Sequence, residues 1–142
     1  MIKYMIKYII LLIFLLYFSY TDYCYRRIPN KAIFLLLIIG FCFLPFSHPI
    51  SHYCIGLFFP SFILFFLNVL YSKFIGLGDI KLLICTGLFL GFKINTLLFV
   101  LTCTLGLIFC AVYTFFSKKR LYSLPLAPFI CFSLIYLLFF IL

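Results

Sequence analysis

The sequence has 142 residues, of which 68% are hydrophobic and only 9% charged. A soluble domain is about half apolar and a quarter charged, so this chain is excluded from that class and its solvent is lipid. Lys and Arg total 11 against 2 for Asp and Glu, a net charge of +9, but the basic residues are scattered in short breaks between apolar runs without a stripe or a stacking motif, a pattern of topology signals and contacts with anionic lipid head groups rather than of nucleic-acid binding.

Taken in chain order, apolar runs cover about 9–20, 32–46, 53–71, 82–92, 97–116 and 124–142. The breaks between them read TDYCYRRIPN, SHPISH, SKFIGLGD, GFKIN and SKKRLYS, all rich in helix-ending and loop-forming residues. A spanning helix needs about 20 apolar residues, with a lower limit near 17. The first run reaches that length when extended back to Ile2, with Lys3 and Lys7 snorkelling to the membrane boundary. The pattern predicts an all-α, polytopic membrane helix bundle of about six transmembrane helices, or five if the fourth run is re-entrant. The breaks are short and no internal repeat or linker is visible, so residues 1–142 form a single integral-membrane domain in this reading.

The first run is not a cleaved secretory signal, because no small-x-small site follows it and Arg26 and Arg27 come after its apolar core. With the N-terminus outside, the inner loops hold Arg26, Arg27, Lys31, Lys73, Lys81, Lys118, Lys119 and Arg120, and the outer side only Lys3, Lys7 and Lys93. The positive-inside rule favours that orientation in a cytoplasmic membrane.

Cysteines stand at 24, 42, 54, 85, 103, 110 and 131, with no Cys-x-x-Cys pair, so neither a zinc site nor a redox motif is indicated. Within apolar runs a free cysteine acts as a small hydrophobe. His48 and His52 have the i, i+4 spacing of a helical metal site, but Pro49 lies between them and no third ligand is evident. No metal is expected.

Asp22 and Asp79 are the only acidic residues, each at the edge of an apolar run and both on the predicted cytoplasmic side. A carboxylate at membrane depth costs about 2.5–3.5 kcal/mol on insertion scales, which makes an intramembrane acid a functional candidate. From charge alone, a catalytic pair and two loop acids paired with Arg27 or Lys81 are equally good readings. The flanking Gly76 and Gly78 favour the first. They let the backbone leave helical geometry and approach a partner closely, which is tolerated in a membrane only beside buried protein or a water-filled cavity.

Gly76-Leu77-Gly78-Asp79-Ile80-Lys81-Leu82 resembles the Gly-x-Gly-Asp-x-Lys-Leu signature of prepilin and preflagellin peptidases, which are intramembrane aspartic proteases. Asp22, followed by Arg26-Arg27-Ile28-Pro29-Asn30, resembles that family's other acidic motif. Leu124-Pro125-Leu126-Ala127-Pro128-Phe129 resembles its Pro-x-Gly-Pro-Phe segment, with Ala127 in place of Gly.

The resemblance implies an aspartic endopeptidase with Asp22 and Asp79 as catalytic residues and no metal or organic cofactor. Its substrates would be prepilin-like or preflagellin-like precursors, cut at the cytoplasmic face behind a short basic leader. Two close carboxylates cannot both ionise readily, so they share a proton. One activates water and the other hydrogen-bonds the developing oxyanion. Gly76 and Gly78 would seat Asp79; Arg27, Pro29 and Asn30 would fix the loop after Asp22 or contact substrate; Lys81 would raise the local positive potential or mark topology. Pro125 and Pro128 either interrupt the last helix, freeing backbone groups for an extended substrate, or simply start it. Larger relatives with methyltransferase activity carry a paired-cysteine insert that this chain lacks, so no methylation is expected. The alternatives are a proton-coupled small membrane transporter and a non-catalytic pilus-assembly membrane factor.

Overall fold

A computed structural model describes residues 2–44, 50–70, 76–117 and 125–140. The elements are α1 (Ile2–Tyr25), α2 (Asn30–Cys42), α3 (Ile50–Leu70), α4 (Leu77–Ser117) and α5 (Ala127–Phe140). The architecture is all-α, as a chain in lipid requires when it must satisfy its backbone N–H and C=O groups within each segment.

α4 is not one rod. Gly91 has φ 75° and ψ 178°, a conformation open essentially only to glycine. Asn95 beyond this point bonds back to Leu83, and Thr86 bonds to Asn95, contacts that a straight helix rising 1.5 Å per residue would hold far apart. The chain therefore reverses at Gly91 into arms 77–90 and 92–117, which match the fourth and fifth apolar runs. Among the described residues, three segments are long and apolar enough to cross a membrane: Met5–Tyr25, Tyr53–Leu70 and Leu77–Phe116, the last containing the reversal. The first arm of α4, α2 and α5 are each about 20 Å long over their described residues, short of the roughly 30 Å hydrocarbon core.

α1 shows how the bundle is built. Lys7, Leu11, Leu15, Phe18 and Asp22 are buried and fall at helical spacing on one stripe. Ile9, Ile13, Leu16, Tyr17 and Tyr20 face outward. α5 is arranged likewise, with Ala127, Ile130, Cys131, Ser133, Leu134 and Leu137 buried. Large exposed side chains such as Phe58, Phe62, Leu107 and Phe139 give the outside the apolar surface that lipid favours. Lys7 does not snorkel as the sequence led us to expect. It is 5% exposed, and its ammonium lies 5.7 and 5.6 Å from the ring centres of Tyr8 and Tyr53. Attraction to those ring faces offsets part of its desolvation.

The most extensive helix contact joins α3 to α4. Gly87 lies against the Gly56 carbonyl, where an added Cβ would stand 2.7 Å from the carbonyl carbon. Small residues allow this approach, and dispersion and polar contacts then hold helices together without a hydrophobic driving force between them. Pro60 lies inside α3 and has no N–H, so the carbonyl four residues earlier, that of Gly56, loses its helical donor. Asn95 replaces it: its Nδ2 donates to the Gly56 oxygen at 2.8 Å and to the Leu83 oxygen at 3.4 Å. The Thr86 hydroxyl lies 2.8 Å from Asn95 Oδ1 and 3.0 Å from the Leu83 oxygen. This buried network ties α3 to both arms of α4.

Replacing Asn95 by Ala leaves the Gly56 carbonyl buried without a donor, and should lower stability by about 1–2 kcal/mol. Pro60→Ala restores the missing N–H. Unfolding of the four forms in detergent should therefore give a double-mutant cycle in which Pro60→Ala recovers part of the Asn95→Ala loss; strictly additive effects would contradict this account.

Candidate active site

Asp22 occupies the last turn of α1 on its buried stripe, and is 8% exposed. The carbonyl end of a helix is a poor place for an anion. Two neighbours compensate. The backbone N–H of Ala127, first residue of α5, donates to Asp22 Oδ2 at 3.3 Å. The guanidinium of Arg26, four residues on, also acts on this carboxyl group electrostatically. Arg26 ends α1 in a left-handed conformation (φ 49°) usually left to glycine or asparagine, and its N–H bonds the Asp22 carbonyl at 3.0 Å.

The chain then passes through 27–29 into α2. Pro29 is the N-cap of α2, and its carbonyl accepts the N–H groups of Ala32 and Ile33. Ile28 packs on Gly78 so closely that a Cβ there would stand 3.3 Å from its side chain. Asn30 Oδ1 accepts a bond of 3.0 Å from Lys81 Nζ. Three contacts thus join the segment after Asp22 to the start of α4 and the start of α5 to Asp22.

Asp79 lies in the first turn of α4 and is also 8% exposed. Its N–H bonds the Gly76 carbonyl at 3.1 Å. Its Oδ1 is enclosed and has no hydrogen-bond partner among the described residues. A Cβ on Gly76 would stand 3.1 Å from Asp79 Oδ2, so the missing side chain leaves room for the carboxyl group. The two acids are near enough for the charge on Asp22 to act on Asp79. An open groove of about 280 Å³ runs between α2 and α4, with Asn30 and Lys81 at its polar end and Ile33, Phe34, Leu37 and Ile84 along it.

Several expectations change in detail. The backbone does not leave helical geometry at Asp79; α4 is already helical from Leu77, and glycine at 78 serves close packing instead. Lys81 is turned to Asn30. Pro125 precedes α5 and Pro128 is its second residue, so the pair starts that helix rather than interrupting it. A proline in the first turn forfeits no intrahelical bond. Arg27 is exposed. Cys24 is exposed and Cys85 and Cys131 lie in the core. His48, Lys73, Lys118, Lys119 and Arg120 lie outside the described residues, as does the side chain of His52.

Sequence reasoning passed over Arg26, although a position four residues from Asp22 on one helix is a readable signal. It also missed the Ala127 N–H, for which the sequence carries no signal, since every residue except proline has one.

A model of the type IV leader peptidase family matches residues 9–111. No curated protein and no solved structure matches the chain. The matched stretch contains both acids and ends before Pro125, so the link between the last segment and Asp22 comes from the geometry alone. It covers well over half of an all-helical chain with three helices fit to cross a membrane, and this integral membrane protein belongs to the type IV leader peptidase family.

Proposed function

We propose that the chain is an aspartic endopeptidase that removes the basic leader from prepilin-like precursors (pilin, pseudopilin or preflagellin) at the cytoplasmic face of the cell membrane. The observation that carries this reading is the burial of the only two acids at one end of the bundle, near enough to act on each other. In the proposed reaction one carboxylate takes a proton from water, and the oxygen of that water adds to the scissile carbonyl carbon. The other carboxyl group passes its proton to the carbonyl oxygen. On collapse the first returns a proton to the leaving nitrogen, the C–N bond breaks, and the second recovers its proton from a hydroxyl of the tetrahedral carbon. Both groups end as they began, and the chemistry calls for no metal or cofactor.

The cytoplasmic placement follows from the charge count, with the N-terminus outside and basic loops meeting anionic lipid. The groove between α2 and α4, with Asn30 and Lys81 at its polar end, offers a precursor's hydrophobic segment an apolar bed. The whole chain acts as one membrane domain. The connections between helices hold no paired-cysteine insert, which supports a peptidase without methyltransferase activity. No observation favours a transporter. A non-catalytic assembly factor would share the fold, and would bind precursors without cutting them.

Membranes containing the wild-type chain should shorten a prepilin at its leader, and Asp22→Asn or Asp79→Asn should each abolish this. Intact precursor with wild type, or full activity in either variant, would falsify the two-carboxylate mechanism. Gly78→Ala pushes on Ile28 and thus on the segment joining Asp22 to α2. Misplacing reacting groups by about 1 Å costs on the order of 100-fold in rate, so this variant should lose about 10- to 100-fold in turnover. Its thermal unfolding should change little by comparison.

A further inference from the structure

The dyad leaves open which acid carries the shared proton, and the surroundings of the two groups differ. We infer that the Ala127 N–H at the start of α5 holds Asp22 as the ionised member, so that Asp22 is the base that activates water and Asp79 the acid that protonates the carbonyl oxygen. This inference rests on the peptidase reading above only for the names of the roles; the position of the proton is a property of the protein by itself.

From α5, Asp22 Oδ2 receives a directed N–H from the positive end of a helix. From the residue just past its own helix, it feels the guanidinium of Arg26. The charge of Asp22 acts on Asp79 in the first turn of α4. Asp79 also stands in a first helical turn, so the dipole of α4 alone does not separate the two acids. What separates them is the directed donor and the cation. Asp79 Oδ1 is enclosed with no donor among the described residues, and the nearby Lys81 spends its ammonium on Asn30. An ionised carboxylate with an enclosed, unpaired oxygen is costly. A proton on Asp79 removes that charge and gives the group an O–H to offer a substrate carbonyl. Ala127 is thus a positioning residue acting through its backbone, which is why a side-chain change from glycine to alanine leaves the device intact.

Ala127→Pro deletes this single N–H at the first position of a helix, where proline is best tolerated. The pH dependence of cleavage then discriminates. If Asp22 ionises first, every form from the active state upward contains the Asp22 carboxylate. Losing the N–H destabilises that carboxylate, so only the acid limb shifts, to higher pH, by about one unit, a tenfold change in the ionisation constant. If Asp79 ionises first, the Asp22 carboxylate appears only in the doubly ionised form, and the alkaline limb shifts instead. Ala127→Gly keeps the N–H and should keep both limbs in place. A shift of the alkaline limb, or of neither limb, in Ala127→Pro overturns the inference.

A second measurement needs neither activity nor that variant. The chain has two Asp and no Glu, so aspartate labelled with ¹³C at Cγ gives two side-chain carboxyl signals, assigned by Asp22→Asn and Asp79→Asn. At the pH midway between the two ionisations, the Asp22 signal should have the carboxylate position and the Asp79 signal the carboxylic acid position. The reverse order sinks the inference. Correct signals in a protein that cuts no precursor would leave it standing and sink the peptidase reading instead.

Discussion

Two carboxyl groups buried in a bundle that faces lipid are the constraint on which the rest of this structure depends. Each is only 8% exposed, so protein groups must take over much of the role of water around them, and the fold supplies these from helix ends. α1 brings Asp22 to its last turn, while α2, α4 and α5 all begin around it, joined by the Lys81–Asn30 bond, the Ile28–Gly78 contact and the Ala127 N–H. Helix starts carry unpaired N–H groups and partial positive charge, so clustering them makes an end of the bundle that tolerates negative charge. The same lack of donors to Asp79 Oδ1 among the described residues that weighs against its charge suits a group that holds a proton.

That arrangement relies on a second one at a distance. α4 delivers Asp79 correctly only if its first arm stands firmly against its neighbours. The reversal at Gly91, the close approach of Gly87 to α3, and the Asn95 bond to the carbonyl orphaned by Pro60 fix the arm at its far end. Packing of Leu82, Leu83, Phe89 and Leu90 into the core fixes it along its length. Glycines and one proline, each unfavourable in an isolated helix, are here the means by which short helices pack closely enough to carry a polar site through an apolar protein.

Much of this was legible in the sequence. Apolar runs and the breaks between them foretold an all-helical chain, including the break within GFKIN where α4 reverses, because hydrophobicity and helix breakers act locally. The acids stood out because they are the only two. What the sequence did not disclose depends on partners far away along the chain or on the backbone. Lys7 looked like a snorkelling end residue, and only the arrival of Tyr53 from α3 makes its burial tolerable. Asn95 read as a loop residue until the Gly56 carbonyl, 39 positions earlier, gave it a role. Pro125 and Pro128 were ambiguous between a broken helix and a starting one, since both readings use the same two residues.

The central claim is that Asp22 and Asp79, 57 positions apart in the sequence, form one site. Cysteines placed at 22 and 79, in a chain whose seven native cysteines have been replaced, test it most directly in native membranes. A short bifunctional thiol reagent should link the two within one molecule, and should fail to do so when one of the pair is moved to the outward-facing position 20. No link at 22 and 79 in a folded, membrane-inserted protein would contradict the account.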